Sequence, residues 1–240
     1  MPHRRGLSII NPYPGTTMST TASLKAGIHP SSDIPMSNPV IETILSRSAA
    51  KYYDPHAVMS DDQIRELVRI GTTAPTSFHL QNWRFIAVRS PEAKARLSPI
   101  AWSQPAITQA AVTFIVCGQL ADASVIPDRL APVVASGVMP PEMVPDWEIP
   151  ARGLYEDFPL RQRDEAVRTA TFGAAAMIYA ARSWGLASTP MIGFDDVAVA
   201  REFGLAEDEL PVMLLAVGPE RPGNWPQKPR RPLSDVLDFV

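Results

Sequence analysis

A single cysteine, four histidines and no long apolar run set the first limits on this 240-residue chain. One thiol, Cys117, can form neither an intramolecular disulfide nor a thiolate metal cluster. Its setting in "AVTFIVCG" reads as a small residue of a buried strand. His3, His29, His56 and His79 are scattered without metal-ligand spacing. The most apolar stretch, Thr169 to Ala181, is too short to span a bilayer and is bracketed by Arg168 and Arg182. GxGxxG, the Walker loop, HExxH and GxSxG are all missing. A net charge of only −3 gives no support for a nucleic-acid or membrane-surface role. A soluble, cytoplasmic protein without a metal, nucleic-acid or membrane partner is the expectation.

Proline is in excess: 25 residues, about double the usual share. They concentrate in the first 39 residues, in 127–159 and in 219–232, which marks those regions as irregular. Residues 1–35 hold no acid before Asp33 and no sustained periodicity, and read as a disordered extension. Met36 opens "MSNPVIETILSRS", a natural start for one ordered domain over 36–240.

The periodicities predict a short helix over Val40 to Ser46 and a second opened by the capping-box pattern Ser60-Asp-Asp-Gln63. A strand follows over Trp83 to Arg89, then a helix begun by Ser90-Pro91, and a second strand over 111–117. Residues 120–160 read as a long, proline-broken stretch with little regular structure. The longest helix is predicted over Arg161 to Trp184, closed by Gly185. Its nearly uncharged middle, "TFGAAAMIYAA", implies burial all round, in a core or in a subunit interface. A strand over 187–190, a helix over Asp195 to Phe203 ended by Gly204, and a strand over Val212 to Val217 complete the order. Helices and strands mix without strict βαβ alternation, which favours α+β over a doubly wound sheet.

Three polar clusters lie at element ends. In "SRSAAKYYD", Arg47, Ser48 and Lys51 can hold a phosphate or form a solvated surface. In "TAPTSFHLQNW", Thr76 and Ser77 can donate hydroxyl hydrogen bonds while His79, Gln81 and Asn82 can read the edge of a planar heterocycle; a helix-end turn followed by a core Trp83 is the alternative. In "NWPQKPRRPLSDV", Lys228, Arg230 and Arg231 sit among prolines that lower the entropy cost of fixing them; a charged tail is the alternative.

Together, "SRSAAKYYD", "SDDQIRELVRIGTTAPTSFHLQNWRFIAV", "WGLASTPMIGFD" and "KPRRPLSDV", in this order and spacing, resemble the nitroreductase family of FMN-dependent oxidoreductases over Val40 to Val236. The resemblance implies a three-layer sandwich, with helices flanking a central, mostly antiparallel sheet, in an intertwined homodimer. It assigns Arg47 to the FMN phosphate, Ser48 and Ala49 to the phosphate and ribityl chain, and Lys51 to the pyrimidine side. Lys228 and Arg230 would complete the phosphate clamp. Pro75, Thr76, Ser77 and His79 would reach the flavin from the second subunit. Gln104 would face the ring, and Pro190, Met191, Ile192 and Gly193 would present a backbone N–H near flavin N5, with no side chain acting as acid or base. NADPH or NADH would be the electron donor, and a nitroaromatic, a quinone or another conjugated electrophile the acceptor, in a ping-pong exchange. Residues 120–160 would be a substrate lid or an excursion packed on the partner subunit. Reductive dehalogenases of the superfamily clamp substrate with a lysine, and none lies between Lys94 and Lys228.

Ala49 stands where relatives often have serine, His79 where many have asparagine, and Ile192 where some have an acid. These departures bear on substrate more than on cofactor. An FMN-binding sensor, carrier or regulatory protein with little turnover is the alternative from another class.

Overall fold

The computed structural model describes residues 38–240; the extension expected over 1–35 lies outside them. Eight helices and four strands are found among the described residues. The strands are β1 (Trp83–Val88), β2 (Val112–Gln119), β3 (Ala187–Met191) and β4 (Glu209–Gly218), ordered β1-β2-β4-β3 with every pairing antiparallel. β2, buried along nearly its whole length, is the central apolar strand, and Cys117 lies within it. The β2–β4 register shifts between Val116 and Cys117, opposite Pro211. That site lies beyond the reach of β3, where a proline without an N–H disturbs only one ladder.

Helices cover both faces and make three layers. On one side, α3 (Pro91–Ile100), α4 (Pro105–Gln109) and α8 (Asp196–Phe203) place Leu97, Ile107 and Val199 against Ile115, Cys117 and Leu214. On the other, α2 (Asp61–Gly71) and α7 (Pro159–Ser183) place Leu67, Ala170, Ala174 and Met177 against Phe114, Val116 and Leu215. Helix α1 (Pro39–Ser46) precedes these layers and leaves Val40, Ile41, Ile44 and Leu45 exposed. The small residues of α7 bring it close to the sheet: a Cβ built on Gly118 of β2 would lie 2.2 Å from the Ala166 carbonyl oxygen. The helix is not buried all round within one chain, since Phe172 and Tyr179 face outward.

The expectation of little regular structure over 120–160 is overturned. That stretch forms α5 (Ile126–Ala135), α6 (Val144–Tyr155) and two short 3-10 turns. Pro127 and Pro145 stand in first turns, where the missing N–H removes no helix bond. Pro132 and Pro150 are interior and disfavour the helix locally. Burial offsets that cost: Ile126, Leu130, Ala151 and Tyr155 form a third apolar cluster with Leu80.

Candidate active site

Between α1 and α2 the chain runs extended along the free edge of β3, with Ala49 bridging Ser188 and Tyr53 bridging Glu220. Tyr53 is fully buried, and desolvation pushes its phenol well above the usual range. Thr189 Oγ1 donates to the Ala50 carbonyl, so Tyr53 is left as the donor in their 2.8 Å contact. These bonds fix the strip that carries Arg47, Ser48 and Lys51.

The C-terminal segment is sewn to the same strip by one amide. Asn224 Oδ1 accepts from the N–H groups of Lys51 (2.7 Å) and Tyr52 (2.9 Å), and its Nδ2 donates to the Tyr52 carbonyl (2.9 Å). Gln227 Nε2 donates to the Arg47 carbonyl at 3.1 Å. Residues far apart in sequence thereby line one cavity of about 690 Å³, which holds Arg47, Ser48, Ala49, Lys51, Gln104, Met191, Lys228 and Arg230. Arg231, by contrast, pairs with Asp235.

Among the described residues, no carboxylate lines this cavity. Among the described residues, none of Arg47, Lys51, Lys228 and Arg230 is ion-paired, although most other arginines of the fold have an acidic partner. Lys51 Nζ lies 5.3 Å from the Tyr52 ring centroid and Lys228 Nζ 5.4 Å from that of Trp225. Four uncompensated cations around a concave surface raise the local potential and favour a multiply charged anion.

Of the Pro190–Gly193 run at the end of β3, Met191 alone lines the cavity, and Gly193 reaches it through Gln104. Gln104 Nε2 donates to the Gly193 carbonyl at 2.8 Å and to Ala101 at 3.3 Å. Its amide hydrogens are thus committed to the protein, and Oε1 is the atom left for a ligand. The Trp102 indole lies against Gly193: a Cβ built there would meet the ring at 2.7 Å. Ile192 is exposed beside it.

Pro75, Thr76, Ser77 and His79 do not line this cavity. The 3-10 turn Ser77–His79 instead packs against α5 and α6. Phe78 (φ 46°), His79 (φ 57°) and Gln81 (φ 47°) are left-handed, each costing about 1–3 kcal/mol. Contacts hold the strained turn: Leu80 is buried, and the Phe78 ring meets Tyr155 edge-on at 6.4 Å. Thr76 Oγ1 accepts from the Gln81 N–H at 3.2 Å. His79 Nε2 lies 2.9 Å from Gln81 Nε2. An amide nitrogen only donates, so this contact requires the His79 tautomer with its hydrogen on Nδ1.

Sequence reading missed Asn224, Gln227, Thr189, Tyr53 and Trp225. Asn224 sits in the "GNWPQ" run that leads into the basic segment, and a proline-flanked amide beside two cations was the available signal. Thr189 and Tyr53 looked like ordinary strand residues; only the tertiary fold brings them together.

The sequence profile of the nitroreductase family matches residues 44–219. YodC of Bacillus subtilis, provisionally named an NAD(P)H nitroreductase, is 28% identical over 201 residues, covering 83% of this chain and 98% of its own. YdgI of the same organism, named in the same way, is 30% identical over 185 residues, 75% of this chain and 88% of its own. Among solved structures, a provisionally named nitroreductase from Exiguobacterium sibiricum, crystallised in complex with FMN, superposes with a TM-score of 0.78 at 26% identity. That match covers 85% of this chain and 98% of the other.

Proposed function

Because the chain belongs to the nitroreductase family, we propose that this enzyme is an FMN-dependent oxidoreductase that passes electrons from NADPH or NADH to a nitroaromatic, a quinone or a related conjugated electrophile. The observation that carries the reading is the convergence of Arg47, Lys51, Lys228 and Arg230 on one carboxylate-free cavity. The donor set suits a phosphate dianion joined to a planar ring. Its volume of about 690 Å³ lies within the roughly 300–1,000 Å³ typical of cofactor sites. The FMN complex of the Exiguobacterium relative supports the same cofactor.

In this reading Arg47, Lys228 and Arg230 hold the phosphate, while Ser48 and Ala49 border the ribityl chain. Lys51 brings positive charge to the pyrimidine side, and Gln104 offers its Oε1. Bound FMN supplies the centre that accepts and returns hydride. The chain binds and orients that group, places the Pro190–Gly193 backbone at its reactive edge, and excludes water; no side chain is needed as acid or base. The nicotinamide donor and the electron acceptor occupy the same cleft in turn.

The site is complete in a homodimer, where the second copy supplies Pro75, Thr76, Ser77 and His79. The exposed apolar side chains of α1, Phe172 and Tyr179 of α7, and Leu233, Val236, Leu237 and Phe239 of the C-terminal segment support that assembly. Helices α5 and α6 then border the cleft or the partner. Reduced nicotinamide as donor suits a cytoplasmic location, and no described helix is long and apolar enough to cross a membrane.

Titration of the full chain with FMN, with particle mass read by light scattering, tests both parts. One FMN per chain in a particle of twice 26.2 kDa is expected. Arg230→Ala is expected to weaken FMN by about tenfold or more; unchanged occupancy would overturn the phosphate assignment.

A further inference from the structure

A buried polar chain links the Ser77–His79 turn to α6 and α7 and has no place in the cavity described above. Ser77 Oγ lies 2.8 Å from the Tyr155 hydroxyl. Tyr155 donates to Glu165 Oε2 at 3.1 Å, Thr169 donates to Glu165 Oε1 at 3.1 Å, and Arg168 pairs with the same carboxylate. Tyr155, Glu165 and Thr169 are 3%, 2% and 0% exposed, whereas Ser77 at one end is half-buried and Arg168 at the other is exposed. Burial of such groups is stabilising only when every hydrogen has an acceptor.

The order of the hydrogens follows from the chemistry of the groups. The ion-paired Glu165 carboxylate can only accept. Tyr155 has one hydroxyl hydrogen, and it goes to Glu165. The 2.8 Å contact between Ser77 and Tyr155 therefore uses the hydrogen of Ser77, and toward any ligand the Ser77 oxygen can only accept. From this geometry we infer that Tyr155, oriented by Glu165, is a positioning residue. It holds the strained Ser77–His79 turn and fixes Ser77 as a hydrogen-bond acceptor for an N–H or O–H of the bound ligand. The inference rests on the reading that this turn closes a flavin site. Carbonyl oxygens of a ligand are turned away from Ser77 and imide-type N–H groups are received. The sequence gives no hint of this, since 78 residues separate Ser77 from Tyr155.

The test is a double-mutant cycle on the full-length chain, read by FMN affinity and by amide hydrogen exchange of the turn without FMN. Tyr155→Phe and Ser77→Ala are each expected to weaken FMN roughly three- to tenfold, since each removes the same hydrogen bond. Both are also expected to speed exchange at Leu80, whose N–H bonds the Ser77 carbonyl. The double variant should be no weaker than the weaker single variant. Glu165→Gln keeps an oxygen that accepts from Tyr155 and should retain FMN within about threefold. Losses that multiply in the double variant, or a Glu165→Gln chain as weak as Tyr155→Phe, would overturn the assignment. Should the unsubstituted chain fail to bind FMN, the cofactor reading fails by itself. The exchange cycle at Leu80 still decides whether Tyr155 holds the turn: one shared effect upholds it, and independent effects overturn it.

Discussion

Asn224 shows how much of the site depends on a residue that never contacts the expected chemistry. Its three bonds to Lys51 and Tyr52 hold the segment that carries Lys228 and Arg230. Asn224→Ala leaves those strip groups unpaired, at a cost of about 1–3 kcal/mol, and frees the basic segment. FMN affinity, measured by fluorescence titration, is expected to fall at least about tenfold, while the bulk of the fold survives. Cys117 makes a different kind of residue-scale prediction. Burial pushes its thiol from the ordinary 9.0 up to about 12, with Glu209 adding to the shift and Arg84 opposing it. At pH 8 only roughly one folded molecule in 10⁴ then carries the thiolate. A thiol reagent should label the denatured chain at once and the native chain only as fast as it opens. Because the folded pKa is the raised one, this group's contribution to stability is fully present below pH 9. It declines as pH rises through the window up to about 12, where the unfolded chain ionises first. Rapid native labelling at pH 8 would contradict the burial.

Element by element, the local signals were the legible ones. Ser60 and Gln63 form the capping box that their spacing suggested, and Ser90 caps α3 through the Ala93 N–H. Asp195 caps α8, which ends on Gly204 in a left-handed conformation. Where sequence reading failed, at α5 and α6, proline was read as a breaker although two of the prolines occupy first turns and the others are carried by a buried face. Helix α4, five residues begun by Pro105, was too short to leave a period. The basic clusters of the site were legible as chemistry and the family resemblance implied their convergence, but Asn224 and Thr189, which hold the segments together, were not legible because they act across the fold. Packing of α7 on β2 yields a paired prediction. Gly118→Ala forces a Cβ into the Ala166 backbone and is expected to cost about 1–3 kcal/mol, lowering Tm by roughly 2–10 °C. Gly153→Ala, inside α6 with nothing within 4 Å of the added Cβ, is expected to raise stability by up to about 1 kcal/mol. Thermal unfolding of both variants checks the pair, and equal effects would contradict the packing.

At the scale of the molecule, the layers explain why the site lies where it does. A short edge strand, β3, leaves one side of its backbone free for the 47–53 strip, and the C-terminal segment closes over both. The sheet edge and the two segments packed on it thereby bring four cations to one cavity, while the Ser77–His79 turn is held by α5 and α6 outside it. The account stands on electrons passing from a reduced nicotinamide into this cavity. The most direct measurement is the visible absorption spectrum of the FMN-loaded protein, followed without oxygen as NADPH and then NADH are added. Bleaching of the flavin band by at least one donor is the predicted result. A bound flavin whose band stays unchanged with both donors would contradict the account.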